Sequence, residues 1–449
     1  MAAIVFAVLG GPAVASAGVV GLPGVNGLAS PTHPDDATWY PTRSVSFSWE
    51  ATKAFDGYSF AFDGAATAPT LDVMRDGLMP RFSEGASTPV GPTEPWSMPR
   101  LGYQAVADFN GDGILDLAEA GGTRLYVLLG KGDGTFEAKL QPPGSSPYVS
   151  LAWNSFEFDS REIVAADFDK DGLMDLVLAG HSANAEYLVL NGAGDGTFAI
   201  SGRDASGWLW YSPSSGRTTG RSITTADFDG DSNLDIAMSL ESSPGVVAVY
   251  PGNGNGTFGA GTALRMSGTV QAWDVLRDLA TGDLDADGRP ELVGVVGEDA
   301  NARIAIWDNV GGALATPSAL NVLSPRAHSK VEVAEMDGDG APEIVAASND
   351  NDYFQPGVTI YHGSLAGGFT STGLAPLSYE SLTDLKVIDL NADGLLDVVG
   401  LNSFAYNSEG RSGVEWYLND GSGGFTGPFR HRAYENSLQQ FSVGDFDGN

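Results

Sequence analysis

From residue 100 onward, short apolar runs alternate with polar positions at a period of two, and the runs recur in a fixed order. Tyr103-Gln104-Ala105-Val106-Ala107, Ile163-Val164-Ala165-Ala166 and Ile223-Thr224-Thr225-Ala226 each lead into an acidic loop. A second run leaves the loop at 115–118, 174–178 and 396–399, and a third follows at 125–129, 187–190 and 246–250. Next comes a glycine turn closed by phenylalanine, at Phe136, Phe198, Phe258, Phe369 and Phe425, and a fourth short run completes the unit. Alternation over a handful of residues is the pattern of a half-buried strand, and no part of 100–449 carries helical spacing. Four antiparallel strands per repeat predict a propeller blade. The expected fold is all-β: a seven-bladed β-propeller with its last blade incomplete, preceded by a partial β-sandwich-like segment.

Residues 1–30 read differently. An apolar stretch ends in Ala15-Ser16-Ala17, the pattern of a signal peptide and its cleavage site, although no Lys or Arg precedes Arg43. Export is expected, with a Gly/Ala-rich linker as the alternative. Residues 31–78 hold two alternating runs, 44–49 and 57–63, joined by the Phe55-Asp56-Gly57 turn. Residues 79–99, rich in Pro, Gly and Ser, read as a linker with one possible ring-closing strand near 81–87. The propeller then occupies 100–449.

The acidic loops carry the candidate chemistry. In Asp108-Phe109-Asn110-Gly111-Asp112-Gly113-Ile114-Leu115-Asp116, side-chain oxygens stand at positions one, three, five and nine, and the carbonyl of Ile114 at position seven can join them. The second loop offers Asp167, Asp169, Asp171, Leu173 and Asp175; the third offers Asp227, Asp229, Asp231, Asn233 and Asp235, with Ser232 where the others have glycine. The fourth offers Asp283, Asp285, Asp287, Arg289 and Glu291, and the fifth Glu335, Asp337, Asp339, Ala341 and Glu343. Asp389, Asn391, Asp393, Leu395 and Asp397 form the sixth, and a seventh starts at Asp445 and is cut short at Asn449, so a C-terminal truncation is expected. Alternating oxygens in a tight turn suit calcium, which takes about six to eight oxygen ligands at roughly 2.3–2.6 Å. An EF-hand would need an acid at position twelve between helices; Glu119 meets this in the first loop, but Leu178, Met238, Gly294, Ala346 and Gly400 stand there in the other five, and the flanks alternate like strands.

The net charge of −34 disfavours nucleic acid and anionic membrane as partners. Of the 57 Asp and Glu, 24 stand at loop ligand positions, so much of the charge has a local purpose. With no cysteine, disulfides cannot brace the fold, which leaves bound metal as the expected brace. The five histidines, His33, His181, His328, His362 and His431, fall out of phase with the repeats and are expected to be isolated surface or packing residues. No nucleophile, phosphate-loop or dinucleotide motif is present, and no catalytic residue is assigned.

The paired acidic loop and Gly132-Asp133-Gly134-Thr135-Phe136 turn, recurring in register over residues 100–449, resemble FG-GAP/VCBS repeats, the unit of the integrin alpha-chain propeller and of many bacterial secreted proteins. The segment around Trp39-Tyr40, Phe47-Ser48-Trp49 and Gly57-Tyr58-Ser59-Phe60 resembles the first half of bacterial immunoglobulin-like modules. The propeller resemblance implies several structural calcium ions between the first two strands of the blades and a ligand on the opposite face or rim. The expected function is a secreted or cell-surface binding module for an extracellular protein or polysaccharide, without catalysis or a membrane span. A polysaccharide lyase on the same scaffold is the alternative. Trp153, Trp208, Trp210, Tyr211 and Trp273 in the longer blade connections are expected to pack between blades; the alternative is that, with Arg203, Arg217 and Arg221, they are ligand contacts.

Overall fold

The structure, a computed structural model, describes strands 4–7, 25–29 and 48–51 and residues 103–446 except 143–145, 152–157, 182–186, 204–219, 241–245, 267–274, 298–302, 316–327, 349–356, 366, 375–380, 392, 404–412, 433–440 and 445. The expected strand at 57–63, the closing strand at 81–87 and the Trp and Tyr of the blade connections lie outside the described residues, as do Arg217 and the ends of the seventh loop.

Every described element is a strand or turn. Each repeat folds as an antiparallel meander: in the second, Asp159–Ala166, Asp175–His181, Tyr187–Gly192 and Phe198–Arg203 pair in sequence order. Four sheets have four strands, the first gains Val149–Ser150 as a fifth, and the fourth has three. That fourth sheet ends in the Asn309–Leu314 bridge, where the sequence lacks the phenylalanine-closed turn. Six blades are described; of the incomplete seventh, only a first strand is. That strand is Phe441–Gly444. It pairs in parallel with Ile4–Ala7. Before the propeller, Val25–Ala29 and Ser48–Ala51 form an antiparallel pair.

The first strands of successive blades are one another's neighbours, and Phe441–Gly444 adjoins the first strands of both the sixth and the first blade, so it fills the gap in the ring. The core is a set of seams, one per pair of blades. Leu125 and Val127 of the first blade pack with Leu176 and Leu188 of the second, Val177 and Val189 of the second with Ile236 and Met238 of the third, and so on round the ring. At the last seam, Trp416 of the sixth blade packs with Phe441. Central strands buried on both faces explain why 117–118 and 176–179 read as unbroken apolar runs.

Polar side chains on the first strands add stitches across those seams. Glu162, Ser222, Asp278 and Asp384 each stand five positions before an acidic loop, and each accepts a backbone N–H from the next blade or closing strand. The donors are Ile223 at 3.2 Å, Leu279 at 3.1 Å, Val331 at 2.9 Å and Phe441 at 3.0 Å respectively. Lys330, in the same phase, cannot accept; its ammonium instead sits 3.0 Å from Asp278 and 3.7 Å from Glu162. Burial alone would lower the Lys330 pKa, but Asp278, Glu162 and Asp384 hold it well above its ordinary value.

Candidate metal centres

Each acidic loop is the turn between the first and second strands of a blade, and its carboxylates are oriented by the loop's own backbone. In the first loop Asp108 accepts N–H groups from Asp112 at 3.2 Å and Gly113 at 2.8 Å; Asn110 Oδ1 accepts from Asp112 at 2.9 Å, and Asp112 Oδ1 accepts from Ile114 at 2.9 Å. The same ladder holds Asp167, Asp169 and Asp171 with Leu173; Asp227, Asp229 and Asp231 with Asn233; and Asp283, Asp285 and Asp287 with Arg289. It recurs for Asp389, Asn391 and Asp393 with Leu395. In the fifth loop Glu335 accepts from Gly338 and Gly340, Asp337 from Asp339, and Asp339 from Ala341. The sixth position has positive φ in every complete loop: 82° at Gly113, and 68° even at Ser232, where a side chain makes that conformation costly.

The ninth-position acids behave differently. Asp116, Asp175, Asp235, Glu291, Glu343 and Asp397 are all buried. Each accepts the N–H of the loop's second residue: Phe109, Phe168, Phe228, Leu284, Met336 or Leu390, at 2.6–3.2 Å. In five blades the other carboxylate oxygen takes an N–H from the end of the third strand: Gly130, Gly192, Gly252, Asn309 or Asn419. Burial pushes the carboxyls of Asp116, Asp175 and Asp235 up to about 6 and those of Glu291 and Asp397 to about 7. The two N–H donors oppose the rise, and the other acids of each loop add to it. Glu343 is raised as well, again by burial first.

The second residue of the loop also reaches the next blade. The carbonyl of Phe109 accepts the N–H of Gly196 at 2.9 Å, and that of Phe168 accepts Gly256 N–H at 3.1 Å. Phe228 and Met336 carbonyls accept instead from the side-chain amides of Asn309 and Asn419, at 2.9 and 2.6 Å. The rings follow the backbone: Phe109 meets Phe198 edge-on at 5.4 Å, and Phe168 meets Phe258 at 5.6 Å. Phe446, second residue of the incomplete seventh loop, makes the same edge contact with Phe136 of the first blade at 5.1 Å. The glycine turns are therefore clasps on the preceding blade's acidic loop, a role the sequence marked only by their regular spacing.

Like charges are crowded in these loops. One oxygen from each of Asp167, Asp169 and Asp175 lies within 4.8 Å of the others, as in Asp227–Asp229–Asp231, Asp283–Asp285–Glu291 and Glu335–Asp337–Asp339. In the first and sixth loops Asn110 and Asn391 take the third position and donate to Asp112 and Asp393. The side chains at positions one, three, five and nine present oxygen in every loop, and the N–H ladder orients them; a second oxygen of Asp112, Asp169, Asp231 and Asp393 accepts a side-chain amide, which a bound ion would have to displace or share. Such a set fits a hard divalent cation, calcium above all. The fifth loop has one member that sequence reasoning missed: His362 Nδ1 lies 3.7 Å from Asp337 Oδ2 and 3.6 Å from Glu343 Oε1. It occurs once, so no repeat signal could have found it.

The FG-GAP-like repeat family matches residues 108–178, 167–238, 227–294, 283–346, 335–400 and 389–449, each window opening on the first residue of an acidic loop. The chain belongs to that family. Among solved structures, this FG-GAP-like repeat protein is similar to a lectin of Agrocybe aegerita that recognises non-reducing terminal N-acetylglucosamine. The two are 19% identical, with 78% of this chain and 84% of the lectin covered and a TM-score of 0.51. A protein from Lactobacillus plantarum is 12% identical, with 74% and 85% covered and a TM-score of 0.49. At these identities the likeness is one of fold. No curated protein matches the chain.

Proposed function

We propose that this FG-GAP-like repeat protein is a secreted or cell-surface binding module whose acidic loops hold structural calcium, and that it presents its rim and blade connections to an extracellular polysaccharide or protein without turning it over. The observation that carries the reading is the continuous linkage described at four of the six complete loops, those of Phe109, Phe168, Phe228 and Met336. The ninth-position acid grips the second residue's N–H, and that residue's carbonyl is gripped by the next blade. Bound calcium would supply positive charge to the crowded carboxylates; the chain's own hydrogen bonds then carry the loop's order across the seam. Side-chain oxygens of Asp108, Asn110, Asp112 and Asp116 and their counterparts, with the position-seven carbonyls of Ile114, Leu173, Asn233, Arg289, Ala341 and Leu395, are the ligands this reading assigns.

A polysaccharide is the ligand class to test first, because a lectin of similar fold recognises a terminal sugar. No helix among the described residues is long and apolar enough to cross a membrane. The test is a glycan array and a pull-down from extracellular extracts, both in calcium and in chelator, with product analysis on uronic-acid polysaccharides. Retention without turnover, lost on chelation, supports the proposal. Turnover would replace it with the lyase reading.

A further inference from the structure

The fifth blade breaks the pattern of the other five in a chemically specific way. Elsewhere, the second oxygen of the ninth-position acid takes a backbone N–H from the end of the third strand. In the fifth blade that place belongs to Gly363, which pairs with Phe369 in the outer hairpin with a φ of 134°. Glu343 keeps the Met336 N–H on Oε2 at 2.8 Å, while its Oε1 faces the imidazole of His362. Asp337 likewise uses Oδ1 for the Asp339 N–H at 3.1 Å and turns Oδ2 to the same nitrogen. By strand register the residues equivalent to His362 are Leu129, Asn191, Pro251, Asp308 and Leu418, so the fifth blade alone places an imidazole over its loop.

The two His362 distances, 3.6 and 3.7 Å, are too long for hydrogen bonds. They are close to the roughly 3.3 Å edge of a tetrahedron whose centre lies about 2.0 Å from nitrogen and oxygen ligands, as in zinc sites. The three donor atoms lie within 4.8 Å of one another, and Glu343, with its side chain 1% exposed, anchors the set from below. Calcium takes oxygen ligands, whereas imidazole with carboxylate suits zinc and its first-row neighbours. The same loop also carries Glu335 in place of the aspartate found at the head of the other loops, so its calcium-type set is the most altered of the six.

We propose that Asp337, Glu343 and His362 form a site for a divalent transition-metal ion, zinc in particular, so that the fifth blade holds a different metal from its neighbours. With two carboxylates and one imidazole the set has three protein ligands and leaves further positions to water or to a ligand's oxygen. It stands on the His362 geometry and does not require calcium in the other loops.

The test uses the full chain without a polyhistidine tag, stripped by chelator and dialysed into millimolar calcium. Cobalt(II) is titrated in as a spectroscopic probe, and zinc is then used to displace it. The expected result is visible ligand-field absorption that saturates at one cobalt per chain and is abolished by zinc. His362→Gln should weaken cobalt binding by about 100-fold or more, the top of the range seen when residues that merely orient a metal ligand are lost. Its calcium-supported melting temperature should be unchanged, showing that the fold is intact. Absence of the absorption, its displacement by calcium, or an unchanged titration in a folded His362→Gln protein would each overturn the proposal. Should that variant fail to fold, competition between cobalt and calcium on the unaltered protein still decides.

Discussion

Asp397→Asn separates the two roles assigned to a ninth-position acid. Asp397 is fully buried and accepts N–H groups from Leu390 at 3.0 Å and Asn419 at 2.8 Å. Asn419 in turn donates from its side chain to the Met336 carbonyl of the fifth blade at 2.6 Å. The amide can replace one acceptor oxygen but sets its NH2 against the other N–H, a mismatch costing about 1–3 kcal/mol when buried. In metal-free protein that cost is partly offset, because burial and the neighbouring Asp393 and Asp389 already hold the Asp397 carboxyl up at about 7 and removing its charge relieves them. In calcium the variant also loses a charged ligand. A 10- to 100-fold loss of affinity at that loop is worth a further ~1.4–2.8 kcal/mol. With about 2 °C per kcal/mol for a domain of this size, the melting temperature should fall by several degrees in calcium and by clearly less in chelator. The assay is differential scanning calorimetry of both proteins under both conditions at pH 7.5. Equal falls would refute the reasoning, since Asp397 would then be a hydrogen-bond acceptor and nothing more.

Three further outcomes are expected. Metal-free protein should lose stability as pH rises from about 4 to 7, because the raised carboxyls of Asp116, Asp175, Asp235, Glu291 and Asp397 bind more protons folded than unfolded in that window. One such group shifted by about two units contributes ~3 kcal/mol, and calcium should flatten the profile; thermal melts across pH in chelator and in calcium check both. Ser232→Gly should stabilise the third blade by about 1 kcal/mol, as the 68° φ no longer carries a side chain, and urea unfolding reads it. Lys330→Met should destabilise by about 3 kcal/mol, because Asp278 is left buried without its counter-ion, whereas pairing Lys330→Met with Asp278→Asn should recover part of the loss.

Alternation of period two and the recurring Asp108–Asp116 pattern were enough to read the propeller, because each blade is a local meander whose strands pair with their sequence neighbours. What escaped the sequence is non-local. The parallel pairing of Ile4–Ala7 with Phe441–Gly444 joins the two ends of the chain, and alternation within either run says nothing about the other. The phased stitches at Glu162, Ser222, Asp278, Lys330 and Asp384 were visible in principle, always five residues before a loop, but their chemistry varies from acid to hydroxyl to amine. Only the ring geometry shows that each serves the following blade. His362 has no such phase at all; it is a departure from the repeat, beside Glu343 at the end of the fifth blade's third strand. Ser232 and the glycine at its counterparts were legible because positive φ leaves a mark in composition.

The central claim is that divalent ions, not solvent, order the acidic loops and through them the seams. Calcium bound per chain, measured by equilibrium dialysis with elemental analysis on chelator-stripped protein, tests it most directly. The account predicts saturation near one ion for each of the six family-matched loops, falling by one when zinc fills the fifth. Saturation at one or none, with the loops of a calcium-grown crystal holding only water, would contradict it.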